Sequence, residues 1–424
     1  VNYPEAIAWL YGTQQHGIKP GLGNIRRLLE ALDFSGHRQR FIHVAGTNGK
    51  GSVCAMIDSI ARAGGLRTGL YTSPHLVSFR ERIRIDGKMI PETDAARGLS
   101  KIADIIADWE EVPTFFEITT ALALDFFQQE NADVVALETG LGGRLDATNV
   151  VTPVASVITA IDLDHQAWLG STLEEIALEK AGIIKPGVPV VSAPQQEAAI
   201  GILIRTAAEK NAPIEFVTAP LEKFPISLGG SHQKLNAALA VAALQAGGLT
   251  PQERAIRKGL ANIPWPGRFQ SIQTQNSTAT DAQQRPGFQL KNLLLLDGAH
   301  NEAAARRLAL TWREVFGEEK CVIILGILKD KDMAAICREL LPVAAAFVIT
   351  PVHSQRTSQP EELLAMIRGF DPGTDCRIAR DFTDALGIAG MRPEKILVTG
   401  SLFLVGEALA YFEGSESKPE MSLQ

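Results

Sequence analysis

Phe41-Ile42-His43-Val44-Ala45 is a strand-length apolar run that empties into Gly46-Thr47-Asn48-Gly49-Lys50-Gly51-Ser52 and then into a segment with helical spacing. A buried strand, a tight glycine turn and a helix in that order commit the chain to an α/β unit. Glycines at 46, 49 and 51 let the backbone turn sharply and approach a ligand closely. The N–H groups at such a turn can face phosphate oxygens, the helix start adds the positive end of its dipole, and Lys50 adds a full charge. The hydroxyls of Thr47 and Ser52 are available to a magnesium ion. The general phosphate-loop spacing is met only in part, since Val44 stands in place of its first glycine and Gly51 in place of its hydroxyl. A nucleotide triphosphate suits this loop, although an ordinary strand-to-helix turn explains an isolated glycine cluster equally well.

The alternation continues along the chain. Apolar runs of strand length fall at 41–46, 68–72, 133–138, 154–159 and 188–193, and helical patterns at 51–63, 92–109, 115–130, 172–181 and 195–210. Residues 81–90 alternate around Asp86-Gly87 and read as a hairpin. After Ile263-Pro264-Trp265-Pro266-Gly267, where prolines and a glycine break the helical pattern, strands recur at 293–297, 321–325, 345–350 and 395–399. The expectation is an α/β protein of two domains. Residues 1–264 form a P-loop-type ATPase domain with a mostly parallel sheet, and residues 265–424 a smaller, C-terminal Rossmann-like α/β domain. Thr274 to Pro286 is polar and reads as an exposed loop of the second domain, and the tail beginning at Gly414 should fray.

Composition excludes several partners. Lys and Arg number 41 against 48 Asp and Glu, a net charge of -7, so no general basic field draws in nucleic acid or an anionic membrane. Cys54, Cys321, Cys337 and Cys376 are scattered without metal-ligand spacing, which points to reduced thiols in a cytoplasm. No apolar run approaches the ~20 residues of a membrane span, and the first residues lack signal-peptide character. The expected location is the cytoplasm, and a monomer acting on small molecules, without nucleic acid or membrane, is the expectation for its partners.

In open α/β sheets ligands bind beyond the carboxyl ends of the strands, so the residues there are the ones to inspect. In the first domain these are the glycine loop, Tyr71-Thr72-Ser73-Pro74-His75, Leu137-Glu138-Thr139-Gly140, and Thr159-Ala160-Ile161-Asp162-Leu163-Asp164-His165. A carboxylate such as Glu138 at the end of a buried strand is costly unless paired or bound to a metal. His165 is explained by structure alone as a satisfied histidine, and Lys180 as a helix-end lysine complementing the dipole. Asn236 reads as the cap opening an Ala-rich helix, Arg268 as a surface group, Asp297 as the cap of the helix after LLLLD, and Phe116 as core. Ser401, at another strand end, is a candidate for orienting an incoming amino acid.

The strings GTNGKGS, ETGLGGRLDATN, DHQAWLG, EKAGIIKPG, PGR and DGAHN, in this order, resemble those of the ATP-dependent amide ligases. The resemblance is specifically to the folylpolyglutamate synthases and dihydrofolate synthases, with the cell-wall Mur ligases as more distant relatives, and it extends from about Gly17 to Ser401. It implies ATP and Mg2+ as cofactors, with a monovalent cation as an addition, and folate or dihydropteroate and L-glutamate as substrates. It places the nucleotide on Thr47, Asn48, Gly49, Lys50, Gly51 and Ser52, with contacts from Asn236, Arg268 and Asp297. Magnesium is implied at Ser73, Glu138 and His165, and Lys180 is implied to be carbamylated so that it helps hold a second ion. Lys50, His165, Lys180 and His300 form the implied catalytic set. The pterin or pteroate pocket is implied at Pro20, Gly21 and Leu22, at Thr114, Phe115, Phe116 and Glu117, and at Leu145, Asp146 and Ala147. Pro20 and Gly21 stand where some bifunctional members carry an acidic residue and a leucine.

The chemistry so implied transfers the γ-phosphoryl group of ATP to the substrate carboxylate, giving an acyl phosphate that the amine of glutamate attacks. Closure of two lobes about the 264–267 hinge keeps water out. A Mur-type ligase of cell-wall synthesis is the neighbouring reading; such enzymes usually carry a further N-terminal domain, whereas here the phosphate loop follows about forty residues. A nucleotide switch or transport ATPase leaves DGAHN and EKAGIIKPG unexplained.

Overall fold

The computed structural model describes residues 1–17, 19, 21–272, 292–414 and 419–420. Pro20, the expected loop from Thr274 to Pro286 and most of the tail lie outside the described residues. The chain divides into two compact units: the first comprises Val1–His75, Phe79–Ser227 and His232–Pro264, the second Leu76–Ser78, Leu228–Ser231 and Trp265–Gln424.

The first unit is built on an eight-stranded sheet. Its strands are β1 (Arg40–Ala45), β2 (Thr68–Tyr71), β3 (Ile83–Ile85), β4 (Lys88–Met89), β5 (Val134–Glu138), β6 (Ala155–Ile158), β7 (Val190–Ser192) and β8 (Ile214–Phe216). Their order is β4-β3-β2-β5-β1-β6-β7-β8, parallel from β2 to β8, with β3 and β4 antiparallel as the hairpin around Asp86-Gly87. The helices are α1 (Tyr3–Gly12), α2 (Gly23–Ala31), α3 (Lys50–Ala63), α4 (Glu92–Ile106), α5 (Phe115–Gln129), α6 (Gln166–Leu169), α7 (Leu173–Ala181), α8 (Glu197–Glu209), α9 (His232–Ala246) and α10 (Glu253–Ala261). β5 is buried throughout and β1 nearly so, which their continuous apolar runs demand of strands covered on both faces. α3 is buried from Gly51 to Ala61 and packs against α9 and α10, so the helix leaving the phosphate loop is central rather than amphipathic. The chain leaves β1 for β2 on one side, across β5, and returns to β6 on the other, which makes the carboxyl end of β1 a topological switch point.

The second unit has a six-stranded sheet: β9 (Gln270–Ile272), β10 (Leu294–Leu296), β11 (Cys321–Leu325), β12 (Ala344–Ile349), β13 (Asp375–Ile378) and β14 (Lys395–Thr399), in the order β13-β12-β11-β14-β10-β9. Among the described residues only β9 is antiparallel to its neighbour. Helices α11 (Glu302–Phe316), α12 (Met333–Leu340), α13 (Pro360–Phe370), α14 (Phe382–Gly390) and α15 (Leu402–Phe412) cover it. β8, β9 and β13 have no counterpart among the strands read from sequence. β8, β9 and β13 are sheet-edge strands with few buried positions, so they lack the apolar runs that mark the interior strands. All four cysteines are free and buried. Among the described residues no helix is long and apolar enough to cross a membrane.

Candidate functional site

β1 ends at Ala45, and the turn that follows has Gly46 at φ 153° and Gly49 at φ 90°, so both use conformations that side chains oppose. α3 starts at Lys50 with Gly49 as its N-cap. The turn is tied to the end of β6: Thr47 N–H donates to Ala160 O at 2.8 Å. The Thr47 hydroxyl donates to Asp162 O (3.0 Å) and accepts from Asp162 N–H (3.1 Å). Thr47 is therefore engaged in shaping the loop, while Ser52 is buried inside α3. Asn236 belongs to the second turn of α9 and is not its cap, because the polar residues from His232 already form the first turn. Its Oδ1 lies 3.1 Å from where a Cβ on Gly49 would stand, so it borders the loop. A Cβ on Gly46 would come within 1.8 Å of Thr159 Oγ1. Gly46→Ala is expected to weaken nucleotide binding by about 10²-fold or more, since both clash and dihedral oppose it; titration with a fluorescent ATP analogue checks this, and unchanged affinity would reject the cradle.

Two amines converge on one carbonyl. Lys50 Nζ donates to Gly46 O at 3.1 Å and to Thr47 O at 3.2 Å, and Lys180 Nζ donates to the same Gly46 O at 2.8 Å. Lys180 projects from the last turn of α7 and is buried. Burial, then the nearby Lys50, pull its pKa down from 10.5 to about 7, against the opposing pull of Asp164 and Asp146.

Glu138 closes β5, next to β1, and its Oε2 accepts the Ser73 N–H at 3.1 Å from the end of neighbouring β2. The carboxylate is buried. His165 follows β6 at φ 51°, with its side chain 43% exposed and its Nε2 4.0 Å from Asp164 Oδ1. Lys50, Ser73, Glu138 and His165 thus stand at the carboxyl ends of four consecutive strands, β2, β5, β1 and β6, with Lys180 reaching in from α7. Among the described residues no group of three or more His, Cys, Asp or Glu could hold an ion by itself. A buried carboxylate beside a serine and a phosphate cradle nonetheless fits a hard cation whose shell is completed by phosphate oxygens and water.

The residues expected at the pterin pocket divide by what holds them. Thr114 and Glu117 form a capping box at the start of α5, Thr114 N–H donating to Glu117 Oε2 at 2.8 Å and Glu117 N–H to Thr114 Oγ1 at 3.3 Å. Phe115 is core, stacked on Tyr11 with centroids 5.8 Å apart. Phe116 is half-buried against Tyr71 and Gly140, where a Cβ would lie 2.5 Å from its ring. Gly21 and Leu22 are half-buried ahead of α2, Leu145 is exposed, and Ala147 and Asp146 are buried. Both Asp146 oxygens are engaged within the loop: Oδ2 accepts Gly140 and Leu141 N–H, Oδ1 the Thr148 N–H and hydroxyl. Sequence reading placed His75 at a strand end but missed its partner Arg82, whose Nε donates to His75 Nδ1 at 2.8 Å beneath Phe115. Arg82 borders an alternating hairpin, where nothing in the pattern marks it as buried.

In the second unit the Asp297 carboxylate, at the end of β10, accepts Phe269 N–H (2.8 Å) and Ala299 N–H (2.9 Å). Burial raises its pKa, with Arg268 opposing. It is not the cap of α11; Asn301 is, accepting Ala304 N–H. His300 Nδ1 donates to Gly298 O at 2.8 Å, which fixes the orientation of its ring. Gly298 makes room for Arg268, whose Nη1 lies 2.5 Å from the position of a Cβ there. Ser401 caps α15 by accepting Phe403 N–H, and is buried.

Residues 44–210 match the Mur ligase middle domain and residues 286–402 the Mur ligase glutamate ligase domain. The chain is 33% identical over 444 residues to the dihydrofolate synthase/folylpolyglutamate synthase of Bacillus subtilis, covering 96% of this chain and 98% of that one. The structure of Escherichia coli FolC in complex with DHPP and ADP superimposes with a TM-score of 0.85 at 31% identity, covering 98% of this chain and 99% of that one. The Yersinia pestis bifunctional folylpolyglutamate synthase/dihydrofolate synthase, complexed with AMPPNP and Mn ion, gives 0.84 at 30% identity, covering 97% and 98%. With similarity of this extent across nearly its whole length, the chain belongs to the folylpolyglutamate synthase/dihydrofolate synthase family of the Mur ligases.

Proposed function

We propose that this chain joins L-glutamate to the carboxylate of a folate in an ATP-dependent reaction that passes through an acyl phosphate. The observation that carries the reading is the meeting of the glycine cradle, Lys50 and the buried Glu138, bonded to Ser73 N–H, at adjacent strand ends. A carboxylate repels an amine and has no good leaving group, so it has to be activated first. The N–H groups of the 46–50 turn and the start of α3 would hold the ATP phosphates, and Lys50 would turn from its own loop carbonyls towards the transferring phosphoryl group. Glu138, Ser73 and His165 would hold magnesium, which supplies neutralisation of phosphate charge when bound. Phe116, with its ring against Gly140, offers a flat face for the folate ring system. Arg268, Asp297 and His300, at one strand end of the second unit, serve the nucleotide, and Ser401 the incoming amino acid. The first unit binds ATP and folate; the second is the glutamate ligase domain. A reducing cytoplasm suits the free, buried thiols, and a monomer is part of the same reading.

The test offers purified protein ATP, magnesium and glutamate with tetrahydrofolate, a methylene-bridged folate or dihydropteroate in parallel, recording product masses. ADP formation that requires both glutamate and a folate, with product heavier by one glutamyl residue, is expected. ADP formation independent of both would reject the ligase reading. Product from dihydropteroate would add the dihydrofolate synthase reaction.

A further inference from the structure

His43 lies on β1, three residues before Gly46, and is fully buried. Its Nε2 stands 2.8 Å from Thr148 Oγ1, 105 residues further along the chain. Thr148 has one hydroxyl proton, and the 2.5 Å contact to Asp146 Oδ1 takes it. With Asp146 ionised, the hydroxyl oxygen accepts from His43 Nε2–H, and the buried Nδ1, which has no hydrogen-bond partner among the described residues, is the unprotonated nitrogen of a neutral ring. Burial, and secondarily Lys185, hold the His43 pKa down at about 3, in keeping with a neutral ring. Asp146 passes the constraint on: its Oδ2 accepts Gly140 N–H at 2.9 Å and Leu141 N–H at 2.8 Å. These amides lie two and three residues after Glu138, and Gly140 is the residue against which Phe116 packs.

We infer that His43 and Thr148 are positioning residues, which hold Asp146 and through it the Gly140–Leu141 backbone as a rigid wall for the acyl substrate beside Phe116. The inference rests on the folate reading of the site for the identity of that substrate. It also gives Asp146 a different task from direct contact with a pterin, because four donors from its own loop already occupy its oxygens. The relay reaches the loop after β5 from the strand that carries the phosphate cradle, yet it touches none of the residues that bind phosphate.

A partition of kinetic constants tests this. His43→Leu and Thr148→Val should each raise KM for the folate by about tenfold, the scale of one lost buried hydrogen bond. KM for ATP should move less than about twofold, and the double variant should be no worse than either single one, because both cut the same chain. His43→Gln, which keeps a donor, should restore most of the folate affinity. Additive effects, a KM for ATP that rises in step, or folded variants with parental folate KM would overturn the inference. A parent protein lacking folate-dependent ADP formation would instead defeat the functional reading. Should the variants fail to fold, nitrogen-15 spectra of histidine-labelled parent protein decide. A His43 ring that stays neutral and Nε2-protonated from about pH 5 to 8 is expected. The Nδ1-protonated tautomer, or a titration in that range, would overturn the relay.

Discussion

Lys50→Ala should lower turnover by about 10³-fold or more, the scale seen when a preorganised charge donor is removed from a transition state. The loss follows from position. Lys50 begins α3 inside the glycine turn, and among the described residues its ammonium group donates to the carbonyls of Gly46 and Thr47, two acceptors of the loop it belongs to. No carboxylate pairs with it at ion-pair distance among the described residues, so little holds it back from incoming phosphate. Negative charge on the oxygens of a transferring phosphoryl group would meet that ammonium directly. Lys50→Arg should rescue poorly, since a planar guanidinium differs in shape from the compact ammonium that the turn encloses. Folding should be nearly unaffected, because the side chain is only half-buried and leaves no core cavity. ADP release under saturating substrates, with thermal melting as control, measures both. Turnover within tenfold of the parent would remove Lys50 from the chemistry.

The parts of the fold that sequence reveals are those whose burial leaves a one-dimensional trace. β1, β5, β6 and β11 are covered on both faces and appear as predominantly apolar runs. β13, at a sheet edge with most positions exposed, leaves no such trace. The start of α9 was hidden for a related reason: His232-Gln233-Lys234 is polar, so the helix reads as beginning later and Asn236 as its cap. Thr114-Phe115-Phe116-Glu117 shows the opposite case, since a threonine followed three residues later by glutamate is itself a capping signature. The glycine turn and the strand-end positions of Ser73, Glu138 and His165 were legible because ligand sites in parallel sheets follow topology. The chain from His43 through Thr148 to Asp146 was not, because its members are linked only by folding. Lys180 belongs with it: sequence shows a lysine at a helix end, and only the packed structure turns that lysine inward onto Gly46 O.

Replacing Lys180 with methionine should separate stability from activity. An ordinary lysine keeps its proton up to about pH 10.5, whereas in the folded chain Lys180 releases it at about 7. Below pH 7 both states carry the charge, and the folded state bears the whole cost of a buried cation facing Lys50. As pH rises from 7 to 10.5 the unfolded chain holds more protons than the folded one, so stability increases and the cost fades. Lys180→Met removes the cation, at the loss of one hydrogen bond to Gly46 O. The variant should therefore gain most at low pH, on the order of 2 kcal/mol near pH 6, since a tenfold change in a protonation equilibrium is about 1.4 kcal/mol. Denaturant melts from pH 6 to 9 should show that advantage shrinking as pH rises; an advantage that grows with pH would contradict the assignment. Turnover should move the other way, down by about 10²-fold or more. At neutral pH much of Lys180 is an unprotonated amine, able to attack the carbon of carbon dioxide, lose a proton to solvent and become an anionic carbamate. That step would place an anion beside the Lys50 ammonium and supply a carboxylate next to the phosphate cradle. Intact mass of protein kept in bicarbonate, taken without acid, should show one added carbon dioxide that Lys180→Met lacks. Equal masses for the two, after correction for the substitution, would leave Lys180 as a plain amine bracing the loop.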